Sequence, residues 1–199
     1  MIITVNHLKG GLCRTTMTIM LAKAFQRLGY NVAVVDATSL GDCTDWLIVS
    51  NSSIAPRLEV HPIPVNDEEN MPSVDAFTKQ VEAIHSDLGD NGVVLIDTSS
   101  HSERVLTMTR DVATHILIPA DDAPASLEHT IDTIKAAQRP FFVVPINDTA
   151  QLPNLVSQTV DSYGGSVTKT HIPYFWDLHD DTEIKLPDYL ELAKEIAAA

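Results

Sequence analysis

The residues able to do chemistry crowd toward the N-terminus, in the run Lys9-Gly10-Gly11-Leu12-Cys13-Arg14-Thr15-Thr16. Adjacent glycines let successive backbone N–H groups curl around an anion, since a residue without Cβ accepts unusual backbone angles and close approach. Thr15 adds a hydroxyl of the kind that reaches Mg²⁺, and Lys9 and Arg14 add positive charge. The flanks give the run its meaning. Residues 2–5 are a short β-branched strand signal, and residues from Thr15 onward carry helical periodicity. Strand, glycine turn and helix in that order are the context of a phosphate loop, with the helix N-terminus contributing partial positive charge.

Such a loop has to be held by a sheet. Apolar runs at 2–5, 32–35, 93–96, 115–118 and 141–144 alternate with helical stretches, the mark of repeated βα units. The expectation is an α/β fold, a three-layer doubly wound and mostly parallel sheet. Helices are expected at 15–28, stopped by Gly29, at 75–88, stopped by Gly89, and at 127–137 and 152–163. A final helix is expected at 187–199, with Tyr189, Leu192 and Ile196 on one face. Pro56, Pro62, Pro64 and Pro72 make 51–73 a loop with an edge strand at 58–63.

With 199 residues, 44% hydrophobic and 20% charged, the chain can bury a core, and 1–199 reads as one domain. No apolar run nears the roughly 18 residues of a membrane span, and the start lacks a basic leader, so a cytoplasmic protein without a membrane role is expected. Cys13 and Cys43 have neither the number nor the spacing of a disulfide framework or zinc site, and both fall in loops near the glycine run. The eight histidines form no HxH or HxxxH pair, and Ser99, Ser100 and His101 lack a G-x-S-x-G elbow. A net charge of −14 repels phosphate backbones over the molecule as a whole, so DNA binding needs a local basic patch.

The glycine run resembles the deviant phosphate loop of the ParA/MinD family, KGGxGK[ST]T, with Lys9 as the additional lysine near its start. The likeness continues through Gly29 to Asp36, similar to the family's second strand and switch, and Val93 to Asp97, similar to its Walker B strand. Ile116 to Pro119, Val143 to Asn147 and Ile172-Pro173 follow in the order of the later strands and the adenine-side loop. The resemblance spans nearly the whole chain and is closest in length to small plasmid-partition ParA proteins.

It implies ATP and Mg²⁺ as cofactors. Gly10, Gly11, Leu12, Cys13, Arg14, Thr15 and Thr16 would cradle the phosphates, and Asn147 and Pro173 would face the adenine. Thr15, Asp36 and Asp97 would hold the metal, the aspartates through water. Lys9 would cross a dimer interface to the partner's phosphates, which makes Lys9, Arg14 and Asp36 the catalytic set. Read without the resemblance, Asp97 could simply cap the next turn, and Asn147 is a common turn residue. The implied function is an ATP-dependent dimerisation switch in DNA or plasmid partition or cargo positioning, working with an adaptor or ParB-like partner.

Three departures bear on the chemistry. Arg14 stands where the family has lysine, and its planar fork is longer than an ammonium. Cys13 replaces a glycine. The family's Asp-x-Asp-Pro becomes Asp36-Ala37-Thr38-Ser39, which removes the water-orienting carboxylate. Asp42 or Asp45 could substitute, although Thr44 or Asp45 reads better as the cap of a short helix starting at Trp46. Hydrolysis is therefore expected to be slow or absent. The alternative is a pseudo-ATPase interaction module that no longer depends on nucleotide.

Overall fold

The computed structural model describes residues 1–50, 58–65, 71–98, 102–146, 151–173 and 182–199. Seven strands, β1 (Ile2–Val5), β2 (Asn31–Ala37), β3 (Glu59–Pro62), β4 (Gly92–Thr98), β5 (His115–Ala120), β6 (Phe141–Pro145) and β7 (Ser166–Val167), form one sheet in the order β3-β2-β4-β1-β5-β6-β7. Every ladder among the described residues is parallel, which meets the expectation of a mostly parallel sheet. The helices between them are α1 (Arg14–Arg27), α2 (Asp42–Ser50), α3 (Val74–Asp87), α4 (Glu103–Val112), α5 (Pro124–Ala136), α6 (Asn154–Ser162) and α7 (Thr182–Ala197).

Alternation along the strands sorts the core into two faces. Ile3 and Val5, Val32 and Val34, and Val93 and Leu95 pack with Met17, Leu21 and Phe25 of α1 and with Tyr189, Leu192 and Ile196 of α7. Ile2, Val35, Val94 and Ile96 face the other way, onto Phe77 and Val81 of α3 and Val105 and Met108 of α4. Ile116, Ile118 and Val143 extend that second face under α5 and α6 through Ile134, Val156 and Val160. The result is three layers, helix, sheet, helix, as the doubly wound pattern requires.

Several local expectations change. The helix expected from Trp46 begins four residues earlier, at Asp42, so Thr44 lies inside its first turn and neither Thr44 nor Asp45 is a cap. Cys43 is in this helix and buried in the core, not in a loop, and burial pushes its thiol pKa up. The last helix begins at Thr182 and runs through Pro187. Leu186, Tyr189, Leu192, Ala193 and Ile196 are all buried there, and that packing overrides the usual cost of an interior proline. Helix α4 was not expected at all.

Candidate functional site

The loop between β1 and α1 starts from a strand at the centre of the sheet, flanked by β4 and β5. Asn6 N–H extends the β1–β5 ladder to Leu117 O, which carries the chain straight to His7. His7 is wholly buried, and the sequence reading passed over it. Its Nδ1 accepts from Lys9 N–H at 2.9 Å and its Nε2 lies 3.0 Å from Thr130 Oγ1. Thr130 spends its own hydroxyl proton on Ser126 O, so the imidazole is neutral with its proton on Nε2. Burial is the main cause of its pKa falling to about 4, with Arg14, His129 and Lys9 adding repulsion.

Helix α5 holds this loop by a stripe of hydroxyls. Ser126, Thr130 and Thr133 sit at i, i+4 and i+7, all buried. They meet Lys9 Nζ at 2.8 Å, His7 Nε2 and Leu8 N–H at 3.2 Å. Lys9 is thus folded onto its own chain. Arg14 also turns back on the loop, its guanidinium donating to His7 O. Burial lowers the Arg14 pKa and Asp97 opposes the shift.

Gly11 has φ +80, and Cys13 has φ 53, the only non-glycine residue with positive φ among those described. Cys13 occupies the family's glycine position in a left-handed conformation that favours glycine. Thr15 and Thr16 follow in the first turn of α1, where backbone N–H groups have no partner within the helix and Cys13 supplies no side-chain cap.

The two strand-end carboxylates are register partners, Asp36 on β2 opposite Asp97 on β4. Asp97 is fully buried. Thr98 N–H donates to its Oδ1 at 3.0 Å and the Thr15 hydroxyl lies against it, whereas Oδ2 has no hydrogen-bond partner among the described residues. Burial pushes its pKa up to about 7, with Asp36 adding to the rise and Thr15, Arg14 and Thr98 opposing it. An orphaned carboxylate oxygen beside a threonine at a helix N-terminus fits a Mg²⁺ ion, which takes one or two carboxylates and otherwise waters and phosphate oxygens. Asp36 differs. Its Oδ1 accepts from Thr38 N–H and Oγ1 at 3.0 and 2.6 Å, and its Oδ2 from Thr44 N–H and Oγ1 at 2.7 and 2.6 Å.

Of the expected site residues, the structure brings Lys9 to Thr16 and Asp97 together, with Asp36 alongside. Pro173 follows Ile172, which bridges Ile146 past the end of β6. Asn147 lies outside the described residues, as do Ser99, Ser100 and His101. Asp42 and Asp45 are exposed on α2. His7 and the α5 hydroxyls were missed because a lone histidine and scattered Ser and Thr carry no motif; the one available signal was the spacing of Ser126, Thr130 and Thr133.

A central parallel strand, a glycine loop, a helix and a buried aspartate on the neighbouring strand define the fold of P-loop nucleotide-binding proteins. The family model of the cellulose biosynthesis protein BcsQ matches residues 1–42, which span β1, the loop, α1 and β2. A sequence comparison with curated proteins gives no match. Among solved structures, the chain resembles one from the MinC:MinD cell division protein complex of Aquifex aeolicus, with TM-score 0.72 and 18% identity over 100% of this chain and 96% of that chain. It resembles pNOB8 ParA bound to nonspecific DNA, with TM-score 0.69 and 12% identity over 99% and 97%. A third likeness is cobyrinic acid a,c-diamide synthase from Mycobacterium smegmatis with bound ADP and magnesium, with TM-score 0.66 and 18% identity over 98% and 93%. The fold is that of the ParA/MinD proteins, and the N-terminal segment agrees with it. No helix among the described residues is long and apolar enough to cross a membrane.

Proposed function

We propose that this chain binds Mg-ATP at residues 9–16 and changes its assembly state when it does, serving the partition or positioning of a cargo in the cytoplasm, with slow or absent hydrolysis. The observation that carries the reading is Asp97 Oδ2, buried and without a partner among the described residues, beside Thr15 at the start of α1. In this reading Gly10 to Thr16 hold the phosphates, with Thr15, Asp97 and Asp36 around the metal. Bound there, Mg²⁺ would offset charge on the β- and γ-phosphates. Lys9 reaches a second copy only after leaving Ser126, and Arg14 reaches phosphate only after leaving His7 O. The ADP and magnesium of the Mycobacterium smegmatis relative support the ligand class.

Partners follow from the same reading: a second copy across the nucleotide face, and an adaptor or ParB-like protein. The pNOB8 relative was solved with nonspecific DNA, but the net charge of −14 argues for weak DNA binding here. Calorimetry with ATP, ADP and a non-hydrolysable analogue, with and without Mg²⁺ and with light scattering on the same samples, tests it. ATP and the analogue should bind with Mg²⁺ and shift the protein toward dimer. Absence of nucleotide binding overturns it.

A second reading, a pseudo-ATPase interaction module, is favoured by the engagement of Arg14 and Asp36 within the chain itself. It predicts assembly that nucleotide leaves unchanged.

A further inference from the structure

The Asp36 carboxylate carries more than a strand-end position explains. A carboxylate offers about four lone-pair sites, and here four donors fill them, two from Thr38 and two from Thr44. The Thr44 pair does a second job. Thr44 is the third residue of α2, and its N–H is one of the first-turn donors that a helix cannot satisfy itself. Asp36 satisfies it from β2, eight residues upstream, and sets a negative charge at the helix N-terminus. Asp36 is therefore the cap of α2, supplied from another element.

We propose that Asp36 is a shared carboxylate, anchoring α2 through Thr44 when no metal is bound and giving up the Thr44 pair when it accepts from a Mg²⁺-held water. The inference rests on the Mg-nucleotide reading above. Thr38 keeps its place in the exchange, because it is two residues away in sequence and its hydroxyl is locked by Gly41 N–H at 3.1 Å. The Thr44 pair closes a longer span and is the one that yields. A cleft of about 250 Å³ beside Asp36, walled by Leu40 and Gly41 on one side and Pro62 and Pro64 on the other, leaves space for the segment leading into α2. Thr44 is a positioning residue in this scheme, competing with the metal for Asp36.

Trp46, half-buried on α2 with Lys23 Nζ of α1 5.0 Å from its ring, reports the helix. The sequence has two tryptophans, so Trp176→Phe leaves Trp46 as the one tryptophan, whose emission is excited apart from that of the tyrosines. In that background, acrylamide quenching is followed with ATP plus Mg²⁺ and with ATP plus EDTA, calorimetry in parallel measuring binding. Mg-ATP should raise the quenching constant roughly twofold as the ring loses its packing, and ATP with EDTA should not. Thr44→Val should show raised quenching before any ligand and bind Mg-ATP roughly fivefold tighter, the equivalent of one competing hydrogen bond removed. Thr44→Ser, which keeps the hydroxyl, should behave as the parent, and circular dichroism checks that each variant is folded. Mg-ATP binding seen by calorimetry without a change at Trp46 overturns the proposal alone, as does unchanged or weaker Mg-ATP affinity in a folded Thr44→Val, or in Thr44→Ala should the valine variant not fold. No nucleotide binding in the parent overturns the Mg-nucleotide reading and this proposal together.

Discussion

Lys9 Nζ donates to Ser126 Oγ at 2.8 Å, so the lysine at the head of the glycine loop is folded onto helix α5 of its own chain. A side chain that must reach a second protomer leaves this bond first. Ser126→Ala removes the acceptor and should lower the ATP concentration needed for dimerisation, by up to roughly tenfold for a bond from a charged donor. Lys9→Ala should bind nucleotide and stay monomeric. Size-exclusion chromatography with light scattering across an ATP titration checks both; a Ser126→Ala protein that assembles no more readily than the parent refutes the latch.

His7 sets a pH dependence. Its unfolded imidazole takes up a proton near 6.5 and the folded one only near 4, so the unfolded state binds more protons between those values. Stability contributed by neutral His7 is full above about 6.5 and falls as the pH drops through that window, by on the order of 3 kcal/mol at its lower end. Urea unfolding at pH 7 and pH 4.5 should show a smaller acid loss in His7→Gln than in the parent.

Asp97 has the opposite sign. Its folded pKa is raised to about 7, so the folded state holds the proton that the unfolded state has released, and this stability is present in acid and lost as pH rises through 7. Asp97→Asn should therefore raise Tm at pH 8 while weakening Mg²⁺-dependent nucleotide binding. In the parent, Mg²⁺ affinity should fall by up to about tenfold per pH unit below 7, because the metal needs the ionised carboxylate. Calorimetry from pH 5.5 to 8 gives the slope, and a flat profile contradicts the assignment.

Arg14→Lys and Thr38→Asp together should raise hydrolysis more than either alone, since one acts on phosphate charge and the other on the attacking water. The structure adds a cost to the second change. Thr38 donates its hydroxyl to Asp36, and an aspartate there sets two carboxylates against each other, so Thr38→Asp alone should lower Tm. Steady-state phosphate release by the four proteins decides the matter; a parent as fast as the double variant means that Arg14 is competent as it stands.

Cys13 holds φ 53, where a Cβ is strained by about 1–2 kcal/mol and glycine is not. Cys13→Gly should be more stable than Cys13→Ala by roughly 0.5–1 kcal/mol, the strain relief less the added chain entropy. Equal denaturation midpoints for the two variants would show the strain to be absent.

The sheet was legible because the inner strands are short runs rich in Val, Ile, Leu and Phe, and burial on both faces makes those runs continuous. The glycine loop was legible from its place between β1 and α1. Helix α4 was legible in principle: Ser102 caps it through Val105 N–H, and Val105, Met108, Thr109 and Val112 follow at helical spacing. The start of α2 was not. Its cap is the side chain of Asp36 on β2, and a cap donated from another element leaves no mark in the residues just before the helix. For the same reason His7 looked ordinary until α5 was set beside it.

The place of β1 in the sheet also governs when the loop can exist. β1 pairs with β4 and β5, and Thr98 Oγ1 closes on Val5 O across 93 positions of chain. The glycine loop precedes both neighbours of the strand beneath it, so β1 has no partner until β4 is made and lacks its second until β5 follows. Until then an apolar strand waits unpaired, so this fold should form slowly for its size, with β1 open to chaperones in the meantime.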